Sequence, residues 1–287
     1  MRFPCGRRGL SASPTVHIEW QRFTPKVLKP GAAPLLLIHG FGCGANDWGA
    51  WPKVLGAKSK REVLFFDNRG VGSSAVPAGP YAVSDLVADA HAVVEAAGVD
   101  RVSVLGISLG GMVAQNFALT HPQRTASLVL GCTSHGGRTA SPPPESFFKL
   151  CQLWAAAEAP NEADGLVDEF MRWMLPAPLL ETAAGARLFE QFKQAFLRTP
   201  RSQAGLQGQL SAMARFNSTK QLGGLSCPTL VTCGAGDQVM QPANSESLAR
   251  LIPGARLRTW EGAGHFFWAH RTAEVVEEIG AFLERGD

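Results

Sequence analysis

One stretch, residues 102–117, restricts the possible folds of this chain more than any other. An apolar, β-branched run ends in the sequence Gly106-Ile-Ser108-Leu-Gly110-Gly111, and a helical pattern begins at once. This spacing predicts a tight turn from a strand into a helix, with Ser108 at its apex in a strained backbone conformation. Gly106 and Gly110 have no Cβ atoms to collide across the bend, and Gly111 lets the helix lie close to the sheet. Ser108 is therefore expected at a helix N-terminus, where free N–H groups favour developing negative charge.

The chain around this turn alternates between strand and helix patterns. The continuous apolar run at 34–38 and the mainly apolar segments 62–66 and 126–130 are typical of parallel strands that are buried on both faces. The amphipathic stretch 84–97 predicts a helix, and the alternation of residues 16–20 predicts an antiparallel or edge strand. Together these patterns predict an α/β fold with a mostly parallel sheet, flanking helices and right-handed crossovers.

The alternation is interrupted in the middle of the chain. From residue 136 to 224 no strand pattern appears, and a run of three prolines is followed by several amphipathic helical segments. We call residues 136–224 the helical insertion. The remaining parts, residues 14–135 and 225–287, are predicted to form one α/β core, and residues 1–13 are predicted to be a disordered extension.

Composition excludes several classes of protein. With 45% hydrophobic and 18% charged residues, the 287-residue chain has ample material for a buried core. A net charge of +3, spread along the chain, does not support binding to nucleic acid, and no apolar run is long enough to span a bilayer. Residues 1–13 lack the apolar segment of a secretory signal. We expect a cytoplasmic protein, monomeric or homodimeric, whose six cysteines are reduced and serve no metal site.

Two further polar residues follow predicted core strands. Asp237 comes after the predicted strand 228–233, and His265 lies in a glycine-rich loop after the last predicted strand, 255–260. Because the carboxyl ends of parallel strands share one edge of a sheet, Ser108, Asp237 and His265 are expected to meet there. A serine hydroxyl needs a base to become a nucleophile, and an imidazole base needs a carboxylate to fix its tautomer. The three side chains therefore predict a nucleophile, a general base and an orienting acid.

These motifs resemble those of the α/β-hydrolase superfamily of serine hydrolases, over nearly the whole chain. The resemblance rests on five segments: Leu35-Leu-Leu-Ile-His39-Gly-Phe41-Gly42, Phe66-Asp67-Asn-Arg69-Gly-Val-Gly-Ser-Ser74, the Ser108 turn, Gly234-Ala-Gly-Asp237 and Gly262-Ala-Gly-His265. It implies a triad in the chain order Ser, Asp, His. It also implies an oxyanion hole made by the backbone N–H groups of Phe41 and Leu109, and a cap formed by the helical insertion.

Other polar residues in these segments are expected to support the loops. His39 is expected to hydrogen-bond loop backbone, and Asp67 and Arg69 to stabilise a turn. Some relatives carry the triad acid after the preceding strand, where this chain has Cys132 and no acid. Haloalkane dehalogenases and epoxide hydrolases use an aspartate nucleophile, whereas this chain carries Ser108.

The expected activity is hydrolysis of a small-molecule carboxylic ester or lactone through an acyl-serine, with no metal or cofactor. Aromatic and methionine side chains are predicted to line the substrate pocket: Trp154, Met171, Met174 and Phe266. The motifs are also similar to those of carbon–carbon bond hydrolases and of cofactor-free haloperoxidases or perhydrolases. A receptor of the same fold with little turnover is the alternative outside the enzymes.

Overall fold

The computed structural model describes residues 8–12, 16–157 and 160–285, and it confirms the predicted α/β fold. The strands are β1 (Arg8–Ala12), β2 (His17–Phe23), β3 (Leu35–Ile38), β4 (Val63–Phe66), β5 (Val102–Ile107), β6 (Thr125–Gly131), β7 (Thr229–Gly234) and β8 (Arg256–Trp260). The helices are α1 (Trp51–Ser59), α2 (Val83–Ala96), α3 (Leu109–Thr120), α4 (Glu145–Ala156), α5 (Pro160–Met174), α6 (Ala177–Leu180), α7 (Ala183–Leu197), α8 (Gln203–Arg215), α9 (Pro242–Leu251), α10 (Phe267–His270) and α11 (Thr272–Arg285).

The strands form one eight-stranded sheet in the order β1-β2-β4-β3-β5-β6-β7-β8. Neighbouring strands from β4 to β8 are parallel. Every residue of β3, β4, β5, β6 and β7 is buried, as the continuous apolar runs predicted. Helices flank the sheet, with α1 packed against α11 and α2 against α3. The carboxyl ends of β5, β7 and β8 therefore lie along one edge, where polar loops can meet.

The first two strands run antiparallel to their neighbours. In β2 the side chains of Ile18 and Trp20 are buried between more exposed residues, which confirms the predicted alternation. Strand β1 pairs with β2, so residues 8–12 are not part of the disordered extension that the sequence predicted. The physical reason is that β1 pairs with backbone groups of β2 that are otherwise at the edge of the sheet. Residues 1–7 and 13 of the predicted extension lie outside the described residues.

Five helices, α4 to α8, lie between β6 and β7 and belong to the helical insertion. Helix α4 packs against α5 and α8, and α7 packs against α5 and α6. Aromatic rings hold this layer together: Phe170 stacks on Phe147 and Phe196 with centroid distances of 5.8 and 5.4 Å. Within the described part of the chain, none of the helices combines the length and apolar character needed to cross a bilayer.

Candidate active site

Ser108 lies at the sharp turn between β5 and α3. Its backbone angles, φ +56° and ψ −120°, fall where L-residues are strained, and its side chain is 7% exposed. The two flanking glycines are required by contact: a Cβ on Gly106 would lie 2.1 Å from the Gly110 carbonyl oxygen, and one on Gly110 would lie 2.0 Å from that of Ile38. The strained strand-to-helix turn predicted from the sequence is therefore confirmed.

Asp237 and His265 are joined by a hydrogen bond. The distance from Asp237 Oδ2 to His265 Nδ1 is 2.8 Å, and both side chains are buried. The other carboxylate oxygen of Asp237 accepts from the backbone N–H groups of Val239 and Met240, at 2.8 and 2.9 Å. Because both oxygens are held, the carboxylate fixes the orientation of the imidazole and leaves its Nε2 for another partner.

Ser108 and His265 line the same cavity, whose volume is about 600 Å³. The structure thus brings the three predicted side chains to one place, from loops far apart in the chain. The Ser108 hydroxyl and the His265 ring do not hydrogen-bond each other in this arrangement. Such contacts are often long before a substrate is bound and tighten in the reacting complex.

The predicted oxyanion donors lie beside Ser108. A Cβ on Gly40 would be 3.2 Å from the Ser108 Cβ, so the backbone leading to Phe41 packs against the serine. Leu109 begins α3, where the first N–H groups of a helix lack intrahelical acceptors. Neither the Phe41 nor the Leu109 N–H donates to another described residue. Neither N–H group has a described acceptor, which is what the predicted oxyanion hole requires.

His39 also lines the cavity but is already engaged. Its Nδ1 accepts from the Gly40 N–H at 2.8 Å, as expected for a residue that supports the loop. Burial, helped by the positive charge of Arg201, lowers the pKa of His39 to about 3. The ring therefore stays neutral, enclosed by the rings of Trp48, Phe266 and Trp268.

Asp67 and Arg69 stabilise the turn after β4, as expected. The Asp67 carboxylate accepts from the backbone N–H groups of Ala45 and Ser73, at 2.7 and 2.9 Å. Arg69 donates to both carboxylate oxygens of Asp89, at 2.6 and 2.7 Å. Neither residue lines the cavity with Ser108, which agrees with a structural role.

The helical insertion provides most of the apolar wall opposite Ser108. Side chains from α4, α5 and α8 and from the segment that follows α8 face the cavity: Phe147, Phe148, Phe170, Met174, Met213 and Phe216. The end of α5 also contacts the His265 loop, because the Met174 carbonyl accepts from the Phe266 N–H at 2.9 Å.

The structure places only two of the four predicted pocket residues on the cavity lining. Met174 and Phe266 line it, whereas Trp154 and Met171 do not. Trp154 packs instead between Phe41 and Phe196, with centroid distances of 5.6 and 5.3 Å, and Met171 is buried within the insertion. For these two residues the expectation needs correction, because their side chains fill the hydrophobic core that joins the insertion to the α/β core.

The cavity lining is poor in charge. Among the described residues that line it there is no lysine or arginine, and Glu145 contributes the single carboxylate. Glu145 and Phe148 are exposed as well as lining, so they lie at the opening. An anionic substrate would meet an apolar wall and a carboxylate, with no cation to pair with.

Cys132 is a contact of the site that sequence reasoning did not find. It follows β6 with φ +37°, is fully buried, and its thiol lies 2.9 Å from the His265 carbonyl oxygen, to which it donates. The possible ligand atoms of Cys132, Asp237 and His265 lie within 4.8 Å of one another. Each is already engaged in a hydrogen bond, and burial raises the pKa of the thiol well above its usual range. The grouping supports the His265 loop.

Comparison with known proteins agrees with the fold. Residues 33–268 match the family model of the alpha/beta hydrolase fold. A poly(3-hydroxyalkanoate) depolymerase from Ectopseudomonas oleovorans is 29% identical over 94% of this chain and 92% of its own length. A 2-hydroxymuconate semialdehyde hydrolase from Pseudomonas sp. strain CF600 is 30% identical over 88% of each chain.

A solved structure gives the same result. A hydrolase from Pseudomonas aeruginosa PA01 superposes with a TM-score of 0.81 at 29% identity, covering 97% of this chain and 98% of the other. The match extends through the core and the helical insertion alike. This chain belongs to the alpha/beta hydrolase fold family.

Proposed function

We propose that this protein is a serine hydrolase that cleaves uncharged carboxylic esters with a large apolar acyl group. The observation that carries the proposal is the strained Ser108 turn in one cavity with the hydrogen-bonded pair of Asp237 and His265. A serine hydroxyl beside an imidazole that is oriented by a carboxylate is the arrangement of an acyl-transfer site.

The mechanism follows from these positions. His265 Nε2 accepts the proton of Ser108 as the hydroxyl attacks the ester carbonyl, and Asp237 stabilises the imidazolium. The carbonyl oxygen becomes negative and binds the N–H groups of Phe41 and Leu109. His265 then gives its proton to the departing alcohol. A water molecule, deprotonated by the same imidazole, hydrolyses the acyl-serine and releases the acid.

The substrate class follows from the walls of the cavity. Aromatic and methionine side chains of the insertion favour a bulky apolar acyl group. The absence of lysine and arginine from the described lining disfavours substrates that carry a carboxylate, such as the 2-hydroxymuconate derivative for which one relative is named. The relative named for a poly(3-hydroxyalkanoate), a polyester, fits the proposal better.

The test compares matched neutral and anionic esters. Hydrolysis of p-nitrophenyl octanoate is measured beside the p-nitrophenyl ester of an eight-carbon dicarboxylic acid, which differs by a terminal carboxylate. We expect kcat/KM to be about 100-fold higher for the neutral ester, since desolvating an unpaired charge costs at least a few kcal/mol. Equal or faster hydrolysis of the anionic ester would contradict the proposed substrate class.

The same assay separates the alternatives. A receptor with little turnover would release about one equivalent of p-nitrophenol per protein and then stop. Carbon–carbon bond hydrolysis would appear as faster cleavage of a vinylogous diketone than of any ester. Sustained ester turnover, together with fluorophosphonate labelling that is lost in Ser108→Ala, is the result the proposal requires.

A further inference from the structure

The helical insertion holds both polar groups of one residue in the loop of the predicted oxyanion donor. Gln209 Oε1, on α8, accepts from the Gly42 N–H at 2.9 Å. Arg201 Nε, between α7 and α8, donates to the Gly42 carbonyl oxygen at 2.5 Å. Gly42 directly follows Phe41, whose N–H has no acceptor among the described residues.

Gln209 connects two loops of the core. It is fully buried, and its Nε2 donates to the Arg69 carbonyl oxygen at 2.9 Å while its Oε1 accepts from Gly42. The turn that contains Arg69 is itself held by the ion pair with Asp89. A buried amide with both ends engaged has a single orientation, because flipping it would leave a donor facing a donor.

Arg201 is also held by several contacts. Its guanidinium donates to Asp47 Oδ2 at 2.9 Å and lies 3.5 Å from the ring centre of Phe196. Asp47 in turn accepts from the Gly44 N–H at 2.8 Å and from the Thr199 hydroxyl at 3.0 Å. Charge-assisted bonds of this kind are stronger and shorter than neutral ones.

Gly42 needs these contacts because its backbone is otherwise easily rotated. Its φ of +65° is accessible to glycine without a steric penalty, and so are several other conformations. A Cβ on Gly42 would lie 2.7 Å from the Trp154 ring, so the insertion packs directly on this residue. The Gly42 N–H belongs to the peptide that joins Phe41 to Gly42, so holding it fixes the carboxyl side of Phe41, next to the peptide that carries the Phe41 N–H.

We propose that Gln209 and Arg201 are positioning residues that set the direction of the Phe41 N–H by fixing Gly42 from both sides. The inference rests on the proposed function, since it assigns Phe41 to the oxyanion hole. It makes the insertion part of the catalytic arrangement as well as the wall of the substrate cavity. An oxyanion donor acts only when it points at the charge that develops in the transition state.

The test uses two variants. Gln209→Met keeps the length of the side chain but removes both hydrogen bonds. Arg201→Lys keeps the positive charge beside Asp47. Removing an oxyanion donor outright costs about 10²–10³ in rate, so misdirecting one is expected to lower kcat by about 10- to 100-fold. KM should change less than threefold. Gln209→Glu retains an acceptor for the Gly42 N–H but loses the donor to the Arg69 carbonyl oxygen, so its kcat should lie between those of the wild type and Gln209→Met.

Two controls distinguish positioning from a general loss of structure. The first is Gln207→Met on the same helix, whose exposed side chain bonds the Ala155 carbonyl outside the site; its kcat should stay within twofold. The second is inhibition by a trifluoromethyl ketone, whose serine adduct carries the oxyanion. Its Ki should rise by the same factor by which kcat/KM falls, whereas the Ki of the product acid should not change.

Three results would overturn the inference. One is unchanged kcat in both Gln209→Met and Arg201→Lys, and another is a lower kcat with no change in the trifluoromethyl ketone Ki. The third is failure of both variants to fold, which would assign the two side chains to the stability of the junction. An active Ser108→Ala variant would instead refute the proposed function itself, so the two failures are distinguishable.

Discussion

The wall of the cavity that the sheet provides holds the side chains predicted to react, whereas the wall that the helical insertion provides determines the shape of the cavity. On the sheet side, Ser108 and His265 stand on loops that directly follow strands, and Ser108 is strained. On the insertion side, the lining is aromatic and methionine side chains. Strand ends in a packed sheet fix reactive groups within small tolerances, while helices can exchange apolar side chains at modest cost. Changes on the two sides should therefore differ in kind.

The largest effect is expected on the sheet side. Ser108→Ala should lower kcat for ester hydrolysis by about 10⁴–10⁶, because the substitution removes the hydroxyl that acts as the nucleophile in the proposed mechanism. Fluorophosphonate labelling should disappear at the same time. Ser134→Ala is the matched control, since Ser134 lines the same cavity but its hydroxyl accepts from the Gly136 N–H. A labelled Ser108→Ala protein would place the nucleophile elsewhere.

Replacing the orienting carboxylate should have a slightly smaller effect. Asp237→Asn is expected to lower kcat by about 10⁴ at neutral pH, because the amide stabilises the wrong tautomer of His265. The comparison is Asp67→Asn, at a buried carboxylate that holds a turn outside the cavity. Steady-state kinetics should show lost activity for Asp237→Asn, whose thermal stability should be retained. Asp67→Asn should instead lose thermal stability and retain activity. Equal losses of activity would contradict the division between the two.

His39 lines the cavity, and we expect it to affect the pH dependence of the unfolding free energy. Its pKa is lowered to about 3 by burial, so between pH 6.5 and 3 the unfolded chain binds a proton that the native chain does not. The contribution of His39 to the unfolding free energy is thus present above pH 6.5 and is lost as the pH falls, by about 1.4 kcal/mol per pH unit. Urea unfolding from pH 7.5 to 5 should show this slope in the wild type and a smaller one in His39→Asn. Equal slopes of unfolding free energy against pH in the wild type and in His39→Asn would show that His39 is not held neutral by burial.

On the insertion side, two methionines of α5 sharpen the comparison. Met174→Ala should lower kcat/KM for octanoate esters about tenfold and favour bulkier acyl groups, since it removes apolar contacts from the lining. Met171→Ala should leave the acyl preference unchanged, because its side chain is buried away from the cavity. Both variants should lose about 2–5 kcal/mol of stability. The measurement is a chain-length series of p-nitrophenyl esters; an identical shift in both variants would contradict the assigned lining.

The smallest effect is expected at the opening. Glu145→Gln should raise kcat/KM for the carboxylate-bearing ester about two- to threefold and leave the neutral ester unchanged, because an exposed charge contributes under about 1 kcal/mol. The increase should vanish in 0.5 M salt. An effect that persists at high salt would indicate a direct contact with Glu145.

The two walls also differ in how far the sequence predicted them. Ser108, Asp237 and His265 each follow a core strand in a glycine-bearing loop, so local patterns placed them at one edge of the sheet. Met171 and Met174 lie three residues apart and so share a helix face, and only tertiary packing decides which of them reaches the cavity.

Contacts between distant parts of the chain were not predictable either. Gln209 bonds Gly42 across 167 residues, and no local pattern marks either residue for the other. The pairing of residues 8–12 with β2 likewise depends on a sheet edge that exists only after folding. Periodicity and turn chemistry predict elements and their order, while the identity of tertiary partners depends on the assembled fold.

The lack of lysine and arginine in the described lining of the cavity bears on how each cycle of the proposed reaction ends. Ester cleavage turns a neutral molecule into a carboxylate, and the described lining offers that carboxylate no lysine or arginine and an exposed Glu145 at the opening. Since an unpaired anion is costly in apolar surroundings, the acid is driven towards water as soon as it ionises. In the proposed reaction, the surface that admits the ester therefore also favours departure of the product, and the free acid should inhibit only at concentrations well above the KM of its ester.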